Sequence, residues 1–177
     1  MTLILLTGCS GVGKTTIQDQ LATCTGAHIL TTVTSRRIDK QEKDIINWDV
    51  AKIQAAVKSG DLVAPIIFGC EYYAWLSGEV DALYKKSVLH VANVRPYTAL
   101  LLTTFIPDTY SIYLFASPEV VAERRKNRGE TRDSLSEART LRDEEDSIEI
   151  ERYRSLFQHQ VLADENAVSE IRLIAEI

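Results

Sequence analysis

The sequence has few of the residues that define disulfide-rich, metal-binding or membrane-spanning proteins. It contains three cysteines, Cys9, Cys24 and Cys70, in 177 residues, at no spacing typical of a metal site. An odd number of scattered cysteines indicates reduced thiols. No apolar run approaches about 18 residues, and the chain enters an apolar strand too early for the charged start and cleavage site of a secretion signal. We therefore expect a soluble cytoplasmic protein without a membrane partner.

The sequence also lacks the charge and the motifs of several functional classes. Its net charge is −5, which argues against a nucleic-acid or membrane-surface partner. The histidines, His28, His90 and His159, are scattered, and no Ser/His/Asp arrangement has persuasive spacing. The N-K-x-D motif with which a guanosine-triphosphate switch reads its base is absent. No repeat or linker interrupts the chain, so its length favours a single domain that buries a core without disulfides.

A phosphate-binding loop lies close to the start of the chain. Residues 8–16 have the sequence GCSGVGKTT, which fits G-x-x-x-x-G-K-[ST], and an apolar run at 3–6 precedes them. Gly8 and Gly13 permit close approaches that let backbone N–H groups converge on phosphate oxygens, beside the positive end of the following helix. Lys14 is expected to bridge the β- and γ-phosphates, and the hydroxyl of Thr15 to bind magnesium. The expected ATP-binding residues are Gly8, Ser10, Gly11, Val12, Gly13, Lys14, Thr15 and Thr16.

Strands and helices are predicted to alternate along most of the chain. Apolar or β-branched runs predict strands, and apolar residues three or four apart, with caps such as Asp49 and Ser117, predict helices. This alternation predicts an α/β fold, a P-loop protein with a doubly wound and mainly parallel sheet. Two further strands, 62–68 and 72–75, predict an antiparallel hairpin inserted over the ligand face. The predicted sheet strands are 3–6, 27–33, 88–93, 110–116 and 160–163, and the predicted helices are 16–23, 49–59, 79–85, 96–102, 117–129, a long charged helix from a capping box at 134–137 toward 157, and 165–177.

Two pairs of side chains are candidates for binding an acceptor molecule. Arg36 and Arg37 follow the second predicted strand, where open α/β sheets bind ligands, and a guanidinium fork suits an anionic acceptor. Tyr72 and Tyr73 lie in the predicted hairpin and offer hydroxyl donors. For these tyrosines, packing across the strands is an equally good interpretation.

Seven basic residues are concentrated between 124 and 142 in an otherwise acidic protein. One interpretation is a solvated helix face on which they pair with nearby acids. The other is a helical lid whose arginines close on a triphosphate and neutralise the charge that develops on the transferred phosphoryl group. Beside an intact phosphate loop we favour the lid. The seven residues are Arg124, Arg125, Lys126, Arg128, Arg132, Arg139 and Arg142.

Four motifs, in this order along the chain, resemble those of the guanylate kinase family. The loop at 10–15 is followed by Thr34-Ser35-Arg36, similar to the family's T-T-R, and by E-Y-Y-A at 71–74, similar to its N-Y-Y-G. Arg124, Arg128-Gly129 and Arg139 have the spacing of its R-L-x-x-R-G motif and of its later lid arginine. The likeness covers most of the chain, and it implies a single guanylate kinase-like domain that uses ATP and magnesium.

The resemblance also implies a division of the chain and roles for its residues. The core would comprise about 1–33, 76–120 and 158–177, the acceptor-binding region about 34–75 and the lid about 121–157. The acceptor phosphate would be held by Arg36 and Tyr73, with Arg37 and Tyr72 beside them. The residues that would act on the ATP phosphates in catalysis are Lys14, Arg124, Arg128 and Arg139.

The sequence departs from the family at positions that concern the acceptor. The family's second acceptor arginine falls at Asp39, its base-reading glutamate at Ala64, and the aspartates of its D-x-D motif at His90 and Ala92. A related branch, the ribose 1,5-bisphosphate phosphokinases, resembles this chain in lacking the same residues. Guanine recognition needs polar partners that reject other bases, so the identity of the acceptor stays open.

The residues and the resemblance together predict an ATP-dependent kinase that acts on the phosphate of a small acceptor. A phosphate oxygen is already anionic at neutral pH, so positioning and charge neutralisation carry most of the catalysis without the missing aspartates. The first expectation for the acceptor is a nucleoside monophosphate of the GMP or dGMP kind. The alternatives are a sugar-phosphate kinase of the ribosyl branch and a non-catalytic binding module with the same fold. The oligomeric state is left open.

Overall fold

In a computed structural model of the chain, residues 2–36, 44–68, 70–85, 88–129, 144 and 147–177 are described. Within these residues, no helix is both long and apolar enough to cross a membrane. The helices and strands, in chain order, are β1 (Thr2–Thr7), α1 (Lys14–Thr25), β2 (His28–Ile29), β3 (Thr32–Thr34), β4 (Ile45–Asn47), α2 (Val50–Ser59), β5 (Leu62–Phe68), β6 (Glu71–Leu76), α3 (Ser77–Lys85), β7 (Leu89–Asn93), α4 (Pro96–Phe105), β8 (Thr109–Phe115), α5 (Pro118–Asn127), α6 (described over 147–153), a 3₁₀ turn (Arg154–Leu156), β9 (His159–Leu162) and α7 (Ala167–Ile174).

The central sheet confirms the predicted α/β architecture. Its five strands are all parallel and lie in the order β2-β7-β1-β8-β9. A parallel sheet is covered on both faces, so its strands need continuous apolar runs. In β1, Ile4 and Leu6 pack with α1 and α7, whereas Leu3 and Leu5 pack with α4, and all four are fully buried. The loop that follows β1 therefore lies at the carboxyl edge of the sheet, where such folds bind ligands.

A second sheet of four strands has the order β4-β3-β6-β5 and contains the predicted hairpin, in which β5 pairs antiparallel with β6. The single strand predicted over 27–33 is wrong, because β2 belongs to the central sheet and β3 to the second. The chain passes from one sheet to the other at Leu30 and Thr31. The N–H of Leu30 donates to the carbonyl of Val91 (3.0 Å), and the N–H and hydroxyl of Thr31 donate to the Glu79 carboxylate of α3 (2.6 and 2.8 Å). Strand β4, which was not predicted, pairs parallel with β3.

The helix ends follow the predicted capping signals closely. Asp49 accepts a hydrogen bond from the N–H of Lys52 (2.8 Å) at the start of α2, and Ser117 accepts one from Val120 (3.4 Å) at the start of α5. Gly60 ends α2 in the left-handed conformation that favours glycine, with φ 82°. Helix α1 begins earlier than predicted, and α7 is shorter than the predicted 165–177. The capping box at 134–137 lies outside the described residues.

Candidate active site

The phosphate loop joins the buried end of β1 to the start of α1. Its glycines, Gly8, Gly11 and Gly13, have φ values of 145°, 86° and 113°, a region that residues with a side chain rarely adopt. A Cβ on Gly8 would also collide with the carbonyl oxygen of Leu114 in β8. The N-cap residue of α1 is Gly13, which has no side chain to cap the helix, and this leaves the N–H groups of the first turn to a bound anion.

Lys14 and Thr15 form the start of α1 and line the cleft beside the loop. The ammonium group of Lys14 donates to the carbonyl oxygens of Gly8 (2.7 Å) and Cys9 (3.0 Å). These hydrogen bonds hold a positive charge against the loop. The hydroxyl of Thr15 is the hard oxygen ligand that magnesium prefers, so the residues present fit both the phosphates of a nucleotide and its divalent cation.

Arginines from α5 are in direct contact with the phosphate loop. The guanidinium of Arg124 donates to the carbonyl oxygen of Val12 and, over 2.7 Å, to that of Ala163 after β9. Nε of Arg125 donates to the carbonyl of Ser10 (3.2 Å). A Cβ on Gly11 would stand 3.0 Å from Cγ of Arg125 and 3.2 Å from Nη2 of Arg128. The structure therefore brings the basic end of α5 to the loop, and adds Arg125, to which the sequence analysis gave no separate role.

The loop, α5 and the second sheet border a cleft of about 1220 Å³. This volume exceeds the roughly 300–1,000 Å³ of an ordinary ligand pocket and suits two small substrates side by side. Arg37 and Arg139 lie outside the described residues. The candidate site residues that line the cleft are Gly8, Ser10, Gly11, Val12, Gly13, Lys14, Thr15, Thr16, Arg36, Tyr73, Arg124 and Arg128.

The two tyrosines of the hairpin point in different directions. Neighbouring side chains of a strand lie on opposite faces of the sheet, and only Tyr73 of this pair is part of the cleft wall. Tyr72 packs instead against the buried cluster around Val33 and Ile53, and its hydroxyl accepts a hydrogen bond from Gln54 of α2 (3.0 Å). Tyr72 therefore packs within the protein, whereas contact of the Tyr73 hydroxyl with a ligand stays a prediction.

The segment that carries Arg36 is tied to the second sheet. The N–H of Arg36 donates to the hydroxyl of Thr34 (3.1 Å), and its carbonyl accepts from the side-chain amide of Asn47 (2.6 Å). The hydroxyl of Ser35 donates to the carboxylate of Glu71 and accepts from the N–H of Tyr72 (2.9 Å). These hydrogen bonds hold the backbone of Arg36 at the wall of the cleft.

The sequence analysis missed Arg95, a further cation of the cleft wall. Arg95 follows β7 and precedes α4, and its Nη2 lies 3.4 Å from Oε1 of Glu149 in α6. The guanidinium also lies over the ring of Phe68 at the end of β5. The sequence does place an arginine between a predicted strand and a helix that begins with proline. Because the carboxyl ends of parallel strands face the ligand, this position could have identified Arg95 as a residue of the site.

The positions that the motif comparison assigned to the D-x-D aspartates lie inside the sheet. His90 and Ala92 are 2% and 0% exposed in β7. The His90 ring packs edge-on against that of His28, and its Nδ1 lies 2.8 Å from the carbonyl of Val88. The residue of β7 that lines the cleft is Asn93, at the end of the strand. Asn93 is thus the second residue that the sequence analysis missed.

Two side chains outside the cleft wall have shifted pKa values. Burial raises the pKa of the Tyr113 phenol, and the nearby Arg154 offsets part of this effect. The pKa of Glu119 is lowered because its own backbone N–H and the hydroxyl of Ser117 donate to the carboxylate. Neither residue lines the cleft, so the chemistry of the site does not depend on their titration.

Comparison with solved structures identifies the fold. The chain is similar to a guanylate kinase from Anaplasma phagocytophilum, with 15% identity, a TM-score of 0.70, and coverage of 99% of this chain and 82% of that one. It is also similar to a shikimate kinase from Bacteroides thetaiotaomicron, with 15% identity, a TM-score of 0.51 and 99% coverage of both chains. No family model and no curated protein matches the sequence. The protein has the fold of the P-loop kinases, an α/β fold with a five-stranded parallel sheet.

Proposed function

We propose that the protein is an ATP-dependent kinase that transfers the γ-phosphoryl group of MgATP to the phosphate of a small acceptor, with a nucleoside monophosphate as the first candidate. The observation that carries this proposal is a single cleft that contains an intact phosphate loop, the basic end of α5, and Arg36 with Tyr73. The two similar structures described above are kinases, which supports phosphoryl transfer as the class of reaction.

On the donor side, the N–H groups of the loop, Lys14 and the arginines of α5 would surround the triphosphate. Thr15 would hold magnesium, which when bound neutralises charge on the β- and γ-phosphates. Arg128 and, from the remainder of the proposed lid at 121–157, Arg139 would neutralise the charge that develops during transfer. Arg124 already bonds two backbone carbonyls of the site, so it would also keep the loop in its binding conformation.

On the acceptor side, Arg36 and Tyr73, together with Arg37, would hold the phosphate that is to be modified. An oxygen of that phosphate attacks the γ-phosphorus while the bond to the β-phosphate oxygen of ADP breaks. The attacking oxygen carries no proton at neutral pH, so no general base is required and the catalytic contribution comes from positioning and electrostatics. This explains how β7 can lack aspartates in a working kinase.

The region that would contact the rest of the acceptor is largely apolar. Ala64 stands where the family has its base-reading glutamate, and it lines the cleft together with Ile66 and Trp75. An apolar wall discriminates weakly between bases, because polar groups are needed to reject the wrong one. The lack of a base-reading glutamate also keeps the second candidate open, a kinase for a sugar phosphate, in which Arg95 would meet a further anionic group.

We also propose the division into a core, an acceptor-binding region and a lid. The second sheet and α2 would form the acceptor-binding region, and α5 the beginning of the lid. Cys9, Cys24 and Cys70 are free thiols, which supports a reducing compartment such as the cytoplasm.

The test is a panel of acceptors incubated with MgATP, with ADP release as the readout. The panel contains nucleoside monophosphates, deoxynucleotides and ribose phosphates. We expect turnover with at least one member, and a loss of at least about 100-fold in Lys14→Ala, while Lys58→Ala, an exposed lysine at the end of α2, retains activity. ATP binding without turnover of any member would favour the binding module instead, and turnover confined to sugar phosphates would favour the ribosyl branch.

A further inference from the structure

Helix α4, with the sequence PYTALLLTTF, exposes an apolar stripe on the side turned away from the core. Tyr97, Leu101 and Phe105 are 50%, 37% and 69% exposed. Because they are four residues apart, they lie along one side of the helix, over a length of about 12 Å at 1.5 Å per residue. The inward side contains Ala99 and Leu102, which are buried in the core. The helix is therefore apolar on both its inner and its outer side.

The outer side of α4 carries no charge. Of the helices in the described part of the chain, α4 alone has no Asp, Glu, Lys or Arg in its sequence. Thr103 and Thr104 turn their hydroxyls back to the carbonyls of Leu100 and Leu101, over 2.7 and 2.6 Å. These hydroxyl protons are used within the helix, which makes the outer surface more apolar than its composition indicates.

An uncharged apolar stripe of this kind is unusual on the surface of a globular protein. Surface helices normally have a polar outer side, and a helix that is apolar all round is normally buried. Single exposed apolar side chains are ordinary, whereas a contiguous patch marks an interaction site. The patch continues from Tyr97 to Tyr153 of α6, since the two ring centroids are 5.9 Å apart. We call Tyr97, Leu101, Phe105 and Tyr153 the α4 face.

The charge of the protein limits what can cover the α4 face. Helices that lie on a membrane surface combine an apolar side with Lys and Arg on the polar side, and α4 has neither residue. A partner attracted by charge needs charges to meet, and the α4 face offers none. A second copy of the chain meets no such obstacle. Although the net charge is −5, two identical uncharged faces do not repel each other where they touch.

We propose that the α4 face is the interface of a homodimer. In a two-fold dimer the same patch of both protomers meets itself. With the two copies of α4 antiparallel, Leu101 at the centre of the stripe meets its own copy near the two-fold axis, and Tyr97 of one protomer meets Phe105 of the other. Aromatic rings then pack against each other at both ends of the contact. This inference does not rest on the proposed function, since it involves neither nucleotide nor acceptor.

The area of the α4 face determines how strong this dimer can be. Since an aromatic side chain buries about 150–250 Å², the exposed parts of Tyr97 and Phe105 offer about 180–300 Å² for burial. Leu101 and Tyr153 add to this area. A standard interface buries about 800 Å² on each partner, and transient interfaces bury less. The α4 face thus supplies the apolar centre of a small interface, and we expect a dimer that dissociates at micromolar concentrations.

The experiment is sedimentation velocity of the whole chain at concentrations from about 1 μM to about 1 mM. A reductant keeps the exposed thiols of Cys24 and Cys70 from forming disulfides. We expect the sedimentation coefficient to rise with concentration from that of a monomer to that of a dimer. Leu101→Glu places two carboxylates close together near the axis and should raise the dissociation constant at least about 100-fold. Leu173→Glu, at an 80% exposed leucine of α7, is the matched control and should leave the dissociation constant unchanged.

A mixture of Leu101→Glu and Leu101→Lys tests the two-fold symmetry of the contact. Each variant alone repels its own copy, whereas a carboxylate and an ammonium group attract each other in the mixed dimer. We expect the mixture to associate with a dissociation constant within about tenfold of the wild-type value. A mixture that stays monomeric overturns the symmetric contact at Leu101.

The remaining outcomes decide whether the α4 face is an interface at all. A wild-type protein that stays monomeric over the whole concentration range overturns the inference, and so does a dimer that Leu101→Glu leaves intact. If Leu101→Glu does not fold, Phe105→Glu takes its place at a more exposed residue, and an unchanged dissociation constant in this variant overturns the inference as well. None of these results bears on phosphoryl transfer, which the panel of acceptors tests separately.

Discussion

Arg95 and Glu149 form an ion pair, with 3.4 Å between Nη2 and Oε1, that joins the carboxyl end of β7 to α6. The two side chains are 17% and 23% exposed, so the pair is largely removed from water. It connects the wall of the cleft to the part of the chain at 147–153, which belongs to the proposed lid at 121–157. The pair holds the guanidinium of Arg95 at the wall of the cleft.

Replacing one partner of this ion pair should destabilise the fold more, for each residue changed, than replacing both partners together. We expect Arg95→Met and Glu149→Met to lower the free energy of unfolding by about 1–3 kcal/mol each, because each leaves a largely buried charge without its partner. The double variant should lose less than the sum of the two. Urea unfolding of the four proteins gives the coupling energy, and additive losses would contradict an interaction between the two side chains.

The bridge that Arg124 makes between Val12 and Ala163 predicts a role in keeping the loop in shape. Arg124→Lys keeps the charge but loses the fork that reaches both carbonyls. We expect about tenfold weaker binding of an ATP analogue and a loss of about 1–2 kcal/mol in stability. Lys126→Ala, on the same helix and exposed, is the control. Equal nucleotide affinity in Arg124→Lys and the wild type would show that the bridge is dispensable.

The glycines of the chain should differ in their tolerance of alanine. Gly60 has φ 82° and open space around its Cβ position, so Gly60→Ala should cost about 1 kcal/mol from backbone strain alone. Gly8→Ala should cost about 3 kcal/mol or more, because the added Cβ meets the carbonyl of Leu114 as well. Thermal unfolding compares the two variants, and similar losses would mean that the loop accommodates a side chain at Gly8.

The adjacent tyrosines of β6 provide a matched pair for the acceptor site. Removing the hydroxyl in Tyr73→Phe should raise the KM for the acceptor about tenfold, as expected for the loss of a hydrogen bond to a charged phosphate. Tyr72→Phe removes only the bond from Gln54 and should leave KM within about twofold, because the side chain faces away from the cleft. Steady-state kinetics at saturating ATP measures the KM for the acceptor in both variants. A larger increase in KM for Tyr72→Phe than for Tyr73→Phe would mean that the acceptor binds elsewhere.

The parts of the fold that could be predicted from the sequence have local causes. The apolar run of β1, the caps Asp49 and Ser117, and the glycine loop each act through neighbouring residues, and each is present as predicted. The split between β2 and β3 could not be predicted, because the run 27–33 is continuously β-prone and the division depends on Glu79, 48 residues away from Thr31. Strand β4 has three residues and no periodicity that would distinguish it from a loop.

The candidate site, like the fold, could be predicted from the sequence only where its residues belong to a local motif. The phosphate loop is a local motif that the sequence shows directly, whereas the hydrogen bonds from Arg124 and Arg125 to the loop join residues more than 100 positions apart. Asn93 and Arg95 belong to no motif, and their place in the cleft wall follows only from the parallel register, which sets the end of β7 beside the end of β1. Which of Tyr72 and Tyr73 faces the cleft depends on the register of β6 in a sheet whose membership was itself not predictable.

The central claim, phosphoryl transfer from ATP to a phosphate of the acceptor, is tested most directly by phosphorus NMR of the product formed with the best acceptor of the panel. The account predicts paired doublets of a new P–O–P linkage on the acceptor, formed in equal amount with ADP and absent with Lys14→Ala. A new singlet of a phosphate monoester would mean transfer to a hydroxyl and would contradict the account. Release of inorganic phosphate without a modified acceptor would contradict it as well.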